Sequence, residues 1–461
     1  MMEAETIAAI ATSVGHAGIG IVRVSGPASR EIARAVFRKK DGQHISFFEP
    51  RKLSFGIVVD PETGHKVDEA LCVFMPGPNS YTAEDVIEFQ GHGGPLVIRN
   101  ILKVVLKQGA RLALPGEFTQ RAFLNGRIDL MQAEATMAVI QAKTDAALKN
   151  AAMQMSGDLS RRIKSFRSAL MDKLVYLEAS LDYPEEDISI PLSDEFAVFL
   201  AELVQEFDKL LLSAHTGKIY RDGLRTVIVG RPNVGKSTLL NALLGEERAI
   251  VTDVPGTTRD SIEEFLNIRG IPLQIVDTAG LRESNDTIEQ LGMQRTREFI
   301  EAAGLILVMI DATDPFVSDD LAIIKCLPNV PTIIVINKMD LPNLAEFPTW
   351  KEVVSNHPVV ALSAKERTGI EELENTIEKI ILTDSAHISI DGCLDNLRQI
   401  DCVISAKDSV LSALSAIDEG LPLDCVAIDL RAAISSLGQI TGETLSDEIV
   451  KEIFSKFCLG K

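Results

Sequence analysis

The chain has few cysteines and no long apolar run, and each absence excludes a class of protein. Its 461 residues include six cysteines, and no two have the CxxC spacing of a zinc or thioredoxin-like motif. The longest strongly apolar run, Leu305 to Ile310, is far too short to cross a bilayer. The first residues carry acids and no basic start, so they do not resemble a signal peptide. We therefore expect a cytoplasmic protein.

The chain also lacks an excess of positive charge. It has 46 Lys and Arg against 66 Asp and Glu, a formal net charge of -20. A globally basic surface is excluded, which argues against a general nucleic-acid coat protein but leaves room for a local basic patch. Apolar residues make up 46% of the chain, and its length suggests two to four domains.

Residues 1–125 have the pattern of a mixed α/β domain. Short apolar stretches alternate with turns rich in glycine and proline, which predicts strands at Ile19–Val24, Leu53–Val59 and Val86–Phe89. Helical spacing predicts helices at Arg30–Lys39 and Leu96–Lys107.

The rest of the chain changes character three times. Residues 126–219 are rich in Ala, Leu, Glu and Lys, which indicates long packed helices. In residues 220–384, strands and helices alternate as in a doubly wound α/β sheet, and residues 385–461 are helical again. The expected fold is thus multidomain α/β plus α, with the second α/β block inserted into a helical domain. The main strands predicted in that block are Arg225–Val229, Leu273–Asp277, Leu305–Asp311 and Thr332–Asn337.

A phosphate-binding loop opens the second α/β block. Gly230 to Ser237 fits GxxxxGK[ST], follows a predicted strand and precedes a predicted helix. Backbone N–H groups of such a loop surround phosphates at the helix N-terminus. Lys236 is expected to reach the β- and γ-phosphates, and Ser237 to bind Mg²⁺. The nucleotide contacts expected here are Asn233, Val234, Gly235, Lys236, Ser237 and Thr238.

Three further motifs in the expected order indicate guanine specificity. One is DTAG, in which a carboxylate can hold Mg²⁺ through water. The second is NKMD, whose Asp340 can accept two N–H bonds from guanine that adenine does not offer. The third is SAK, whose backbone N–H groups should contact the base. Their nucleotide-binding residues are Asp277, Thr278, Ala279, Gly280, Asn337, Lys338, Asp340, Ser363, Ala364 and Lys365.

A GTTRD segment between the first two strands of this block predicts a switch loop, with Thr258 favoured over Thr257 as a Mg²⁺ ligand. The water that attacks GTP cannot be oriented by Leu281, which follows DTAG where many small GTPases have Gln. Glu283 and Glu289 are the alternatives. The loop residues expected to contact nucleotide are Thr252, Asp253, Val254, Pro255, Gly256, Thr257 and Thr258.

Three other stretches carry a family resemblance: PGPNSYTAEDVIEFQGHGG at 76–94, PGEFTQRAFLNGRIDLMQAEA at 115–135, and the terminal CLGK. With the GTPase motifs, they closely resemble the MnmE (TrmE) family of tRNA-modification GTPases. The resemblance implies an N-terminal α/β domain, residues 1–125, that binds 5-formyltetrahydrofolate and holds a homodimer together. It further implies a helical domain, residues 126–219 and 385–461, with a Ras-like G domain inserted at 220–384.

The same resemblance implies an activity and its partners. In that family, GTP hydrolysis depends on K⁺ and on pairing of two G domains, and the motifs above add Mg²⁺. A FAD-dependent partner protein is expected to act with the chain to install an aminomethyl-type (carboxymethylaminomethyl) group at C5 of the wobble uridine of certain tRNAs, with a reduced folate as the one-carbon donor.

Site residues follow from the resemblance position by position. The folate-binding positions are Arg23, Glu88, Arg127 and Lys461. Arg127 stands where Lys is common, and its hydrogen-bonding geometry differs from that of Lys. The K⁺-binding positions are Asn233 and the carbonyls near Thr252, Val254 and Thr257. Glu289 matches the water-orienting acid and is therefore preferred to Glu283. Cys458 is assigned to catalysis with Glu289 and Lys236, and we expect it to reach back toward the N-terminal site instead of only packing its helix.

Two other functions share the G-domain motifs. A ribosome-assembly GTPase that binds rRNA usually carries an appended RNA-binding module, and the C-terminal segment lacks a GxxG loop or basic stripe. A membrane-linked switch is disfavoured because no apolar span or lipidation motif is present. Binding of a reduced folate outside the G domain is expected of a tRNA-modification GTPase and of neither alternative.

Overall fold

The structure is a computed structural model that describes residues 5–13, 15–182, 194–245, 249–250, 264–276, 300–314, 318–325, 327–342, 357–382, 393–458 and 460. The chain divides into two compact units. One comprises residues 1–137, 160–168 and 437–461, and the other comprises residues 138–159 and 169–436.

The first unit contains a seven-stranded sheet of order β3-β4-β5-β6-β2-β1-β7. Its neighbouring strands are antiparallel except β1 and β7, which are parallel. The strands are β1 (Ile7–Ile10), β2 (Ala17–Ser25), β3 (Phe37–Lys39), β4 (Ser54–Val59), β5 (Lys66–Met75), β6 (Val86–Gly93) and β7 (Arg111–Leu112).

Helices α1 (Ser29–Val36) and α2 (Pro95–Lys107) share one hydrophobic core with this sheet. Alternate residues of the strands, such as Val22 and Val24, are fully buried in it. The helix predicted at Arg30–Lys39 is therefore wrong at its end. Helix α1 stops at Val36, and Phe37–Lys39 forms β3, because an extended backbone places the fully buried Phe37 beside Phe89 in the core.

A run of helices follows. These are α3 (Glu117–Leu124), α4 (Leu130–Gln141), α5 (Asp145–Met155), α6 (Asp158–Asp182) and α7 (Asp194–Asp222). The Ala/Leu-rich composition of this region predicts helices, and the structure confirms them. The side chain of Thr144 caps α5 by accepting a hydrogen bond from the Ala147 amide.

The second unit contains a seven-stranded sheet of order β14-β13-β12-β8-β11-β10-β9. Strands β14, β13, β12, β8 and β11 are parallel, so their carboxyl ends lie at one edge, where ligands of such sheets bind. Its strands are β8 (Leu224–Val229), β9 (Ala249–Ile250), β10 (Glu264–Ile268), β11 (Ile271–Val276), β12 (Leu305–Asp311), β13 (Thr332–Asn337) and β14 (Val359–Ala361).

Hydrophobic clusters cover both faces of this sheet, and every residue of β12 is buried. Its helices are α8 (Lys236–Leu243), α9 (Ser318–Lys325) and α10 (Ile370–Leu382). The strands predicted at Leu305–Asp311 and Thr332–Asn337 are confirmed to the residue. Both are continuous apolar runs, which is typical of strands buried on two faces.

The C-terminal region is helical, as its composition predicts. It consists of α11 (Leu397–Asp418), α12 (Leu423–Thr441) and α13 (Asp447–Ser455). None of the helices in the described ranges is long and apolar enough to cross a membrane.

Candidate functional site

The phosphate-binding loop joins β8 to α8. Gly235 precedes the helix with φ +101°, and a Cβ there would clash with the side-chain amide of Asn337. Only glycine combines this backbone conformation with so close an approach. Within the loop, the Lys236 Nζ donates to the carbonyls of Gly230 at 2.6 Å and Arg231 at 2.8 Å. The lysine ammonium therefore lies over the loop where phosphates bind in proteins of this motif.

Asn337 connects three of the sequence motifs. It ends β13 and is 3% exposed. Its Nδ2 donates to the Val234 carbonyl of the phosphate-binding loop at 2.8 Å, and its Oδ1 accepts from the Ala364 amide at 2.9 Å. NKMD, SAK and the loop are thus held together by one buried amide side chain whose hydrogen bonds are made on both sides.

The aspartate of NKMD is exposed and is oriented by SAK. The Ser363 hydroxyl donates to Asp340 Oδ1. This hydrogen bond lowers the pKa of the Asp340 carboxyl below its usual value, and the charges of Lys365 and Lys338 act in the same direction. The side chain is therefore an ionised acceptor at neutral pH, which is the state required to bind two N–H groups of guanine.

Two contacts that the motifs did not indicate brace this edge of the sheet. The Lys338 Nζ lies 2.5 Å from Asp311 Oδ2, at the end of the neighbouring strand. Burial alone would raise the pKa of Asp311, but hydrogen bonds from Lys338 and Thr313 outweigh burial and lower it. Arg231 Nε donates to the buried Asp320 of α9 at 2.9 Å, which anchors the start of the loop. No motif pointed to either pair, because the two partners of each lie far apart in the sequence.

The other GTP-site predictions lie outside the described residues. These are Thr252, Asp253, Val254, Pro255, Gly256, Thr257, Thr258, Asp277, Thr278, Ala279, Gly280, Glu283 and Glu289. Of the remaining members, Asn233 has φ +64° and is exposed in the loop, while Ser237 and Thr238 lie in the first turn of α8.

A second polar cluster lies in the first unit and contains three of the four predicted folate positions. Arg23 and Glu88 are opposite each other on β2 and β6, and Arg23 Nε lies 2.8 Å from Glu88 Oε1. Arg127, after α3, donates Nη1 to the Tyr81 carbonyl at 3.0 Å. The Tyr81 ring is 5.6 Å from Arg23 Cζ and 5.0 Å from Arg127 Cζ. The structure therefore brings together residues separated by about a hundred positions in sequence.

Tyr81 belongs to the family-like segment at 76–94, but no motif assigned it a role. An aromatic residue between glycine-proline turns and an acidic pair was the available signal. Behind this cluster, Arg121 bridges the carboxylates of Glu84 and Glu117, and its side chain is 13% exposed. This ion-pair network braces α3 against the loop that carries Tyr81.

The C-terminal tail also lies in this unit. The Gly116 amide donates to the Cys458 carbonyl at 3.3 Å, and Gly460 packs against the Ile10 carbonyl of β1. Phe454 and Phe457 pack together with ring centroids 5.0 Å apart, whereas Cys458 is a free and exposed cysteine. Lys461 lies outside the described residues.

Comparisons with known proteins identify the family of the chain. The model for the MnmE helical domain matches residues 130–458, and the model for the GTP-binding protein TrmE N-terminus matches residues 6–127. The chain is 45% identical to the tRNA modification GTPase MnmE of Alkaliphilus oremlandii (strain OhILAs) over 457 residues, 99% of each chain. It is 44% identical to the tRNA modification GTPase MnmE of Heliobacterium modesticaldum (strain ATCC 51547 / Ice1) over 466 residues, 100% of each chain.

Among solved structures, the chain is similar to an Aquifex aeolicus Era variant bound to GDP and AlF4⁻. The two are 32% identical, and the match covers 40% of this chain and 66% of the Era chain. Its TM-score is 0.28, which carries no argument about the fold. The full-length sequence matches carry the assignment: the chain belongs to the MnmE family of tRNA modification GTPases and is a GTP hydrolase.

Proposed function

We propose that this chain hydrolyses GTP at the carboxyl edge of the second sheet to drive modification of the wobble uridine of certain tRNAs. In this proposal a FAD-dependent partner protein acts with it, and a reduced folate supplies one carbon to an aminomethyl-type group at C5. The proposal of a GTP site rests on the two hydrogen bonds of the Asn337 side chain, which link the phosphate-binding loop to the NKMD and SAK motifs.

The residues proposed for GTP fit the chemistry of its two ends. At the phosphate end, Lys236 and the backbone of the loop provide positive charge, and Ser237 provides a hydroxyl for Mg²⁺. At the base end, the ionised Asp340 is a carboxylate that guanine can pair with and adenine cannot. Bound Mg²⁺ would neutralise charge that develops on the phosphates.

Potassium dependence is proposed for the same site. In the transition state of phosphoryl transfer, negative charge is spread over the phosphate oxygens, and a nearby cation stabilises that charge. Asn233 offers a side-chain oxygen on the exposed side of the loop, three residues before Lys236. We assign it to K⁺ together with the carbonyls of Thr252, Val254 and Thr257, and we assign the attacking water to Glu289.

The folate site is proposed at the second cluster. A reduced folate has a flat ring system and a carboxylate tail. Arg23 and Arg127 supply cationic groups, and Glu88 supplies a carboxylate that can accept from ring N–H groups. The docking of Gly460 on β1 supports a tail that brings Cys458 and Lys461 toward this site, because Ile10 is paired with Val22, next to Arg23.

The proposed organisation is a homodimer held by the N-terminal α/β domain, residues 1–125. The helical domain comprises residues 126–219 and 385–461, and the G domain occupies residues 220–384. The helical-domain match supports this organisation because it extends on both sides of the second sheet.

Two measurements test the proposal. Deletion of the gene should remove the wobble-uridine modification, which mass spectrometry of tRNA nucleosides would detect. Unchanged nucleosides would refute the tRNA function. Calorimetry of the purified chain with 5-formyltetrahydrofolate should show saturable binding that Arg23→Met weakens. A protein that hydrolyses GTP but binds no folate would instead agree with a ribosome-assembly GTPase.

A further inference from the structure

Tyr81 lies in contact with two guanidinium groups that come from different parts of the first unit. Its ring centroid is 5.6 Å from the Cζ of Arg23 on β2 and 5.0 Å from the Cζ of Arg127, which follows α3. Both distances are within the range of cation–π attraction. Arg127 also donates to the main-chain carbonyl of Tyr81 at 3.0 Å. The backbone and the ring of one residue thus both contact Arg127.

The position of the Tyr81 ring is itself well defined. Its hydroxyl is 2.9 Å from the Oγ1 of Thr119, a fully buried residue of α3. The ring packs against a small buried cluster that includes Phe118 and Ala9. Because both its edge and its tip are held, the ring cannot rotate away without losing a hydrogen bond and apolar contact.

The two arginines differ in what else they contact. Arg23 is paired with Glu88, and its side chain is 19% exposed. Arg127 is exposed, and within the part of the chain that the structure describes no carboxylate forms an ion pair with it. A long, exposed arginine side chain loses rotamer entropy when it binds an anion. Contact with Tyr81 removes part of that freedom beforehand, which lowers the entropic cost of binding.

We infer that Tyr81 is a positioning residue of the reduced-folate site, which holds Arg127 where it takes a carboxylate of the ligand. This inference rests on the proposed folate function. The aromatic face performs the positioning, and the hydroxyl only orients the face. Replacement by phenylalanine should therefore preserve most of the effect, whereas an aliphatic residue of similar size should not.

The experiment compares dissociation constants for 5-formyltetrahydrofolate, measured by calorimetry on the full-length chain. Tyr81→Leu should weaken binding roughly 10-fold, because the variant loses the cation–π contact with Arg127 and the ordering of the Arg127 side chain. Tyr81→Phe should remain within about 3-fold of the parent. The control is Tyr176→Leu, because Tyr176 is exposed on α6. This variant should bind 5-formyltetrahydrofolate as tightly as the parent chain.

A double-mutant cycle separates positioning from a structural role. In an Arg127→Met background, Tyr81→Leu should weaken binding by less than about 2-fold, because the group that it positions is gone. Thermal melting checks that each variant is folded. If Tyr81→Leu does not fold, Tyr81→Met replaces it, since it also removes the aromatic face and its flexible side chain fills the space more readily, and the same loss of roughly 10-fold is expected.

The outcomes distinguish the role of Tyr81 from the existence of the folate site. A parent chain that binds folate while folded Tyr81→Leu binds equally well overturns the role of Tyr81 alone. Equal losses from Tyr81→Leu with and without Arg127 also overturn it. A parent chain that does not bind folate overturns the folate site, and the inference with it.

Discussion

Substitution of Gly460 by alanine should release the C-terminal tail from the end of strand β1. Gly460 has φ +87°, and a Cβ at this residue would clash with the Ile10 carbonyl and lie 3.2 Å from the Ala11 Cα. Neither neighbour can move easily, since Ile10 is paired with Val22 in the sheet. The substitution therefore combines backbone strain with a steric conflict at a rigid surface.

The magnitude follows from what holds the tail. A left-handed conformation costs an alanine roughly 1–2 kcal/mol, before the clash is counted. On the other side, the Gly116 amide donates one hydrogen bond to the Cys458 carbonyl, at 3.3 Å, and such a bond contributes about 1 kcal/mol. The backbone strain alone therefore shifts the equilibrium between docked and undocked tail toward the undocked state by a factor of roughly 5 to 30. Because the last residues can detach without unfolding the domain, Tm should hardly change.

Hydrogen exchange at the Gly116 amide is the direct assay. This amide precedes α3, and its hydrogen-bond partner is the Cys458 carbonyl, so exchange should accelerate in Gly460→Ala. The matched control is Gly109→Ala. Gly109 has φ +101°, but a Cβ added there would have no atom within 4 Å, so the variant carries backbone strain without a clash. It should lower Tm and leave Gly116 exchange unchanged. Unaltered Gly116 exchange in Gly460→Ala would refute the docking argument.

Three further predictions concern the proposed chemistry. Asp340→Asn should weaken GTP binding roughly 10- to 100-fold, because a carboxylate hydrogen-bonded to guanine is lost, and should favour xanthosine triphosphate; an unchanged GTP titration contradicts the base-site assignment. GTP turnover should be faster in KCl than in NaCl at equal ionic strength, and Asn233→Ala should reduce the difference; equal parent rates in both salts rule out the K⁺ mechanism. Cys458→Ser should abolish tRNA modification while GTP hydrolysis and Tm are retained, since Cys458 is exposed; a large fall in Tm would indicate a packing role instead.

Sequence alone was sufficient to locate the nucleotide motifs, because each is short and its residues act through local backbone geometry. The loop from Gly230 to Ser237 needs glycine at particular conformations, and these requirements are visible as spacing. Strands such as Leu305–Asp311 were also predictable, since a strand buried on both faces must be apolar throughout. The end of α1 was not, because spacing extends the helix to Lys39 while core packing of Phe37 imposes a strand.

Only the tertiary structure decided which distant residues meet. Helical or strand spacing carries no information on the contact of Tyr81 with both Arg23 and Arg127, which depends on how β2, α3 and a loop pack together. The same holds for the Asn337 amide, whose partners lie 103 and 27 residues away, and for the tail on β1. Such contacts arise from the packing of whole elements, whereas motifs arise from the conformation of a few neighbouring residues. Sequence therefore identified the family and its motifs, and the fold determined which distant side chains lie together.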